Sequence, residues 1–192
     1  MPEVFYMADI TRQQALDLLK EYTKSESLLK HAYAVEAAMR AYAEKYDEDM
    51  EKWSITGLLH DFDYEMFPDN HPWEGNKILR ERGIAEDIRE AIMGHAVFTD
   101  TPRNTRMAKT LFAVDELSGF ITAVTLVRPN KALSEVKPKS VKKKMKDKRF
   151  AAKVNRDEML QGAEELGVDF DEHITFVANA MSKVSSELGL NP

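Results

Sequence analysis

The sequence predicts an all-α protein, a single-domain helical bundle that spans residues 1–192. Apolar residues recur three and four positions apart in segment after segment, which is the spacing of helices with one buried face. Residues that favour helix ends, such as Thr11, Asp49 and Gly83, stand at the borders of these segments. A run typical of a strand is limited to a few residues at Val4–Tyr6.

The helices can be placed in order from their caps and apolar stripes. Thr11 caps the first helix, Ser25 or Ser27 opens the second, and Asp49 begins the third. Pro72 suits the first turn of the fourth helix, and Arg128-Pro129 ends a long sixth helix, which could continue through Gly119 with or without a kink. The predicted helices cover residues 12–22, 25–46, 49–61, 72–83, 85–94, 107–127, 140–148, 156–166 and 169–188.

The doublet His60-Asp61 is the first candidate for chemistry, because it ends the apolar run of the third helix. A buried carboxylate beside a buried imidazole is costly unless a partner neutralises it, and a metal ion is one such partner. The alternative is an aspartate that ends a helix beside a core histidine. The pair alone leaves both interpretations open.

Other histidines and one aspartate stand at inward positions or helix ends. His31 lies on the apolar stripe of the second helix, and His95 continues that of the fifth. His71 precedes the fourth helix, and Asp115 interrupts the apolar face of the sixth. Each could instead be a satisfied core residue or a cap. Glu116 and His173 are expected at the surface.

Composition limits the possible classes of function. Hydrophobic residues are 43% and charged residues 31% of the chain, as in ordinary globular proteins, and no apolar run is long enough to cross a membrane. The absence of cysteine excludes disulfides and thiolate ligands, and favours a cytoplasmic location. A net charge of −6 argues against general nucleic-acid binding. Any metal must be held by His, Asp or Glu.

In their order along the chain, these residues resemble the HD-domain superfamily of metal-dependent phosphohydrolases. The family pattern of a histidine, a His-Asp doublet and a later aspartate is matched over about residues 25–130. The string from His71 to Leu79, with its proline, glycine and Ile-Leu, and the sequence before His95 match the branch that binds two metals. The resemblance implies an all-α HD-type domain, onto which helices of residues 131–192 pack. The implied metal ligands are His31, His60, Asp61, His71, His95 and Asp115.

The resemblance also implies a reaction. Asp61 would bridge two divalent ions, chosen from Fe, Mn, Zn, Ni or Mg, and a metal-activated hydroxide would attack a small phosphate ester, with a nucleotide as the expected example. Nucleotidase-type relatives place a glutamate soon after the doublet as a proton-transfer partner, and Asp63 and Glu65 stand near that point. The same ligands serve di-iron oxygenases, and a non-catalytic nucleotide sensor is a further alternative.

A basic segment follows the sixth helix. Residues 137–153 contain nine Lys or Arg and one Asp, a local charge of +8 that leaves −14 for the rest of the chain. We predict that Arg128, Lys131 and part of the run from Lys137 to Arg149 attract an anionic substrate. Arg128 can reach Asp115 only if the sixth helix breaks and folds back, because 13 helical residues span about 20 Å. A merely solubilising surface is the alternative.

Overall fold

A computed structural model describes residues 10–192 of the chain, so the strand expected at 4–6 lies outside the described residues. The described residues form ten α-helices and no strand, which confirms the all-α fold class. Single 3-10 turns occupy Val97–Thr99 and Leu133–Glu135. The helices are α1 (Arg12–Tyr22), α2 (Glu26–Tyr46), α3 (Met50–Leu59), α4 (Trp73–Glu81), α5 (Glu86–His95), α6 (Arg106–Leu126), α7 (Pro138–Met145), α8 (Arg156–Leu166), α9 (Phe170–Ser182) and α10 (Ser185–Leu188).

The expected caps at the first and third helices are confirmed. The hydroxyl of Thr11 accepts a hydrogen bond from the backbone of Gln14, and the Gln14 side chain reaches back to Thr11. The carboxylate of Asp49 accepts from the backbone nitrogens of Glu51 and Lys52, each at 3.0 Å. These bonds satisfy amide groups that have no partner within the first turn of a helix.

Helix α6 lies at the centre of the structure, packed against α2, α5 and α8. Helix α6 continues without interruption from Arg106 to Leu126, so the break near Gly119 that would bring Arg128 towards Asp115 does not occur. Neighbours on several sides bury residues all along this helix, and that packing outweighs the weak helical preference of a single glycine. The buried Gly162 lets α8 pack closely on α6, since a Cβ at this position would lie 2.6 Å from the Cα of Ala113.

The C-terminal helices differ from the prediction in their boundaries and burial. The last predicted helix is two helices, α9 and α10, and α7 begins two residues earlier than expected. His173 was expected at the surface but is 1% exposed, because the first turn of α9 packs against α2 and α6. The Tyr42 hydroxyl donates to Nδ1 of His173 at 2.6 Å, and the Nε2–H of His173 donates to the carbonyl of Ala113 at 2.9 Å.

The end of the chain returns to the turn that follows α6. The backbone nitrogen of Leu133 donates to the carbonyl of Asn191, and the nitrogen of Asn191 donates to the carbonyl of Lys131, both at 2.9 Å. Helices α8, α9 and α10 each lie against α2 or α6. In the part of the chain that the structure describes, we find no helix that combines the length and the apolar character needed to span a bilayer.

Candidate metal centre and cleft

Five separate parts of the fold bring the predicted ligands together. Helix α2 supplies the first histidine, the end of α3 the His-Asp doublet, and α6 the last aspartate. The segment before α4 and the last turn of α5 supply the two remaining histidines. The six side chains form two triads, one of His31, His60 and Asp115, and the other of Asp61, His71 and His95.

In the first triad, three ligand atoms converge on one point. The Nε2 atoms of His31 and His60 are 3.2 Å apart, and Asp115 Oδ1 lies 3.0 Å from the first and 3.3 Å from the second. The Oδ2 atom of Asp61 lies 3.5 Å from His60 Nε2 and 4.0 Å from His31 Nε2. Asp61 therefore borders this triad as well as belonging to the other.

The second triad is built on the other oxygen of Asp61. Asp61 Oδ1 lies 3.2 Å from the Nε2 atoms of both His71 and His95, and these two nitrogens are 3.4 Å apart. The two oxygens of one carboxylate thus face two different groups of imidazoles. This is the arrangement that a carboxylate bridging two ions requires.

The rings of His60 and His95 are held so that their Nε2 atoms point into the cluster. His60 Nδ1–H donates to the carbonyl of Gly57 at 2.7 Å, and His95 Nδ1–H donates to the carbonyl of Ile92. A neutral imidazole with its hydrogen on Nδ1 carries a lone pair on Nε2. Metal-binding histidines are oriented by this kind of outer hydrogen bond.

The donor set fits divalent metal ions. Lone pairs of neighbouring imidazoles repel each other when they face across 3.2–3.4 Å, and either a proton on one ring or a metal ion between the rings removes this repulsion. Bonds of about 2.0–2.1 Å from nitrogen or oxygen to one ion place neighbouring ligand atoms roughly 3 Å apart. Mixed imidazole and carboxylate ligands suit Fe, Mn, Zn and Ni.

The electrostatics of the cluster also favours a cation. Burial raises the pKa of Asp61 and Asp115, but His60 and the other adjacent imidazoles outweigh burial and hold the pKa of both carboxyls well below the usual range. Burial lowers the pKa of His71, yet its bonds to Asp61 and Asp63 raise that pKa to about 9. Both aspartates are therefore ionised at neutral pH and attract positive charge.

Asp63 is buried behind His71 and makes no contribution to the cleft surface. It is 1% exposed, its Oδ1 accepts from His71 Nδ1 at 2.7 Å, and its Oδ2 accepts from the backbone nitrogen of Gly75 at 2.7 Å. A side chain with both oxygens engaged in this way orients His71. This placement gives no support to the proton-transfer role expected for Asp63.

Replacement of Gly75 by alanine is expected to weaken the second triad. A Cβ at Gly75 would lie 2.6–2.9 Å from the carboxylate of Asp63, so Asp63 must move and lose its hold on His71. Loss of such an outer partner lowers metal affinity by about 10–100-fold. A titration with Mn²⁺ measures the effect. Gly119→Ala is the control, since its Cβ would meet His31 at an ordinary 3.9 Å, and equal affinity in both variants would contradict the prediction.

The triads lie at the floor of an open cleft of about 500 Å³. Five of the six ligands line it, while His60 is fully buried. The volume is in the usual range of small-molecule sites. The other lining residues are Tyr64, Ala96, Val97, Phe98, Glu116, Gly119, Lys153, Val154, Asn155 and Glu158.

Sequence reasoning missed the acidic side of this cleft. Glu116 was expected in solvent, but it is half-buried and lines the cleft beside Glu158 of α8. Burial, with the nearby Asp115 charge, raises the pKa of Glu116 to about 7. The position of Glu116 one residue after a candidate ligand is a signal that could have identified it, whereas nothing in the sequence indicates that α8 packs beside α6.

The other predicted functional residues lie away from the cleft lining. Arg128 pairs with Glu135 at 3.2 Å beyond the end of the uninterrupted α6, so the fold-back needed to bring it near Asp115 does not occur. Lys131 is exposed in the turn that follows. Glu65 is exposed, and its carboxylate accepts from the backbone nitrogens before α2, at Lys24 and Ser25. Their expected roles in substrate binding and proton transfer gain no support from these positions.

Comparison with known proteins agrees with the geometry. No solved structure matches the chain significantly. The family model described as HD domain matches residues 28–119, which begin three residues before His31 and end four after Asp115. HD-domain proteins are generally metal-dependent hydrolases, and the domain suggests the metal-dependent phosphohydrolase superfamily. The matched segment contains both triads, whose His and Asp groups could hold metal. Residues 28–119 therefore form an HD domain, with a ligand cluster compatible with an HD-type metal site.

Proposed function

We propose that the protein is a phosphohydrolase that holds two divalent ions and cleaves a small phosphate ester, with a nucleotide as the first candidate. The observation that carries this proposal is the sharing of Asp61 between the two triads at the floor of the cleft. His31, His60 and Asp115 would hold one ion, His71 and His95 the other, and Asp61 both. Bound ions of this kind lower the pKa of water and polarise a phosphoryl oxygen.

The chain itself supplies orientation and access. The outer hydrogen bonds to Gly57, Asp63 and the Ile92 carbonyl keep the imidazoles in place before any substrate arrives. Lys153 adds a positive charge at the cleft wall, where an anionic ester would enter. Hydrolysis then breaks a P–O bond, with water providing the new oxygen on phosphorus and a hydrogen for the departing alcohol.

Metal content is the first measurement. Protein purified without chelator should contain up to two equivalents of Fe, Mn, Zn or Ni, and chelator-treated protein should gain thermal stability when one of them is restored. An ion at 100 times its dissociation constant adds about 2.7 kcal/mol. Failure of all of these ions to raise the unfolding temperature would contradict the proposed metal centre.

Activity is the second measurement. We expect Mn-loaded protein to release phosphate from at least one member of a panel of phosphomonoesters and phosphodiesters, with the chelator-treated protein as the blank. Oxygen uptake by an iron-loaded sample without phosphate release would instead indicate a di-iron oxygenase. Tight binding of one nucleotide without turnover would indicate a sensor. A cytoplasmic location stays a prediction from the absence of cysteine.

A further inference from the structure

We infer that one wall of the cleft, formed by Glu116, Lys153, Asn155 and Glu158, is a specificity site for the organic part of the phosphate ester. It selects a group that presents hydroxyl or amino hydrogens and carries no further phosphate. The inference rests on the proposed function, because it concerns what is attached to the phosphate. We call these four residues the polar wall.

Two carboxylates of the polar wall are tied together through one asparagine. The backbone nitrogen of Asn155 donates to Glu116 Oε2 at 3.2 Å, and its side-chain Nδ2 donates to Glu158 Oε1 at 2.6 Å. Within residues 10–192, the second oxygen of each carboxylate has no hydrogen-bond partner. The polar wall therefore offers the cleft two carboxyl oxygens that no other described group uses, beside the ammonium group of Lys153.

Charge limits what this wall can accept. Among the described residues other than the six candidate ligands, the charged side chains of the cleft lining are Glu116, Glu158 and one basic residue, Lys153. A second or third phosphate placed here would lie beside two acidic side chains, with Lys153 as the one described basic side chain of the lining to balance its charge. A neutral group with O–H donors, or an ammonium group, would meet acceptors instead.

Another part of the cleft lining is apolar and aromatic. Val97 and Phe98 are 43% and 62% exposed, and Tyr64 is 44% exposed beside His71. The Phe98 ring contacts that of Trp73, with centroids 5.3 Å apart. A group that contacts both parts of the lining needs an apolar face and an edge with hydrogen-bond donors, as a sugar ring has, or an ammonium group that aromatic faces also attract.

The polar wall is held in position before a ligand binds. The guanidinium group of Arg156 donates to the carbonyls of Ala151 at 2.8 Å and Val154 at 2.6 Å, and also to that of Phe150. The same group lies 5.1 Å from the centre of the Phe120 ring on α6. These bonds fix the irregular segment that carries Lys153 and Asn155. A preorganised wall loses less entropy on binding than a mobile one.

The polar wall also comes mostly from outside the family segment. The HD match ends at residue 119, whereas Lys153, Asn155 and Glu158 belong to the segment that begins α8. The ligands of the metal centre and the residues that would contact the organic group are thus carried by different parts of the chain. Such a separation is expected where the HD segment supplies the reaction and a segment outside it selects the substrate.

The test uses phosphonates that cannot be hydrolysed, because a P–C bond replaces the ester bond. Calorimetry with Mn-loaded protein compares the methylene phosphonate of ribose 5-phosphate, 3-aminopropylphosphonate and pentylphosphonate, which has no donors. We expect one of the first two to bind at least tenfold more tightly than pentylphosphonate, about the value of a hydrogen bond to a charged group. A preference for the ribose compound identifies hydroxyl groups, and a preference for the amine identifies ammonium.

Glu158→Gln is the decisive variant. Its amide oxygen can still accept from Asn155 Nδ2, so the fold is kept while the charge is removed. We expect the tenfold preference to disappear and pentylphosphonate binding to stay unchanged. Glu164→Gln, exposed on the same helix, is the matched control and should keep the preference. Equal binding of all three compounds by the wild type, or an equal loss for all three in the variant, would overturn the inference.

The proposed hydrolysis is followed separately, by turnover of p-nitrophenyl phosphate. A binding preference that depends on Glu158 without any turnover would support the specificity site and contradict hydrolysis. Turnover without a preference that depends on Glu158 would support hydrolysis and contradict the specificity site. No binding of any phosphonate by the Mn-loaded protein would overturn the specificity site.

Discussion

Asp61→Asn is expected to remove both metal ions, whereas loss of a histidine from either triad removes one. The two Asp61 oxygens face different triads, at 3.2 Å and 3.5 Å from the nearest imidazole nitrogens, so no other ligand contributes to both. Elemental analysis should find about two ions in the wild type, about one in His31→Ala or His95→Ala, and none in Asp61→Asn. The Mn-induced rise in unfolding temperature, about 5–10 °C for 2.7 kcal/mol in a chain of this size, should vanish with Asp61.

Asp171→Asn is the matched control, because this exposed carboxylate on α9 pairs with Lys142 at the surface. It should keep two ions and the full thermal shift. Phosphate release by Asp61→Asn should fall to the level of chelator-treated protein. One ion retained in Asp61→Asn, with wild-type stabilisation, would show that the aspartate is not shared.

The protein is expected to lose stability at acid pH because of His173, and His173→Gln is expected to abolish this part of the pH dependence. Burial lowers the pKa of His173 to about 4, from an ordinary value of 6.5. The unfolded chain therefore binds the proton first, so His173 reduces the free energy of unfolding as the pH falls from about 6.5 towards 4. With a pKa of 6.5 in the unfolded chain and about 4 in the folded protein, the free energy of unfolding decreases by about 2 kcal/mol between pH 8 and pH 5. Urea unfolding with chelator in every sample measures it.

The variant should be less stable than the wild type at pH 8 by about 1–3 kcal/mol, because the partners of His173 are buried. At pH 5 that difference should have shrunk by about 2 kcal/mol. Tyr42→Phe, which removes one hydrogen bond and keeps the imidazole, should still lose stability in acid. The same pH dependence in His173→Gln and in the wild type would contradict a neutral, buried His173.

The ligand positions could be predicted because each depends on local pattern. His31 and His95 follow the spacing of buried helix faces, and the His60-Asp61 doublet ends an apolar run. A helical period of 3.6 residues assigns such positions to one face without knowledge of the partner helix. The family resemblance then indicated which inward residues belong together, and the structure brings all six within reach of one another in two triads.

The polar wall and the burial of His173 could not be predicted in this way. Both depend on how α8 and α9 pack on α6, which no local pattern records. Arg128 illustrates the opposite difficulty. The sequence showed that it could approach Asp115 only through a break in α6, but packing on several sides keeps that helix continuous. A charge run next to a site in sequence is therefore a weak guide to what lines the site.

The wide spacing of the ligands along the chain affects the unfolded state. His31 and Asp115, 3.0 Å apart in the fold, are separated by 84 positions. An ion held between them closes a loop of that length, as a disulfide would, in a chain that has no cysteine. Metal release and global unfolding should therefore be thermodynamically linked, and the Mn²⁺ concentration should set how often the chain opens to proteases.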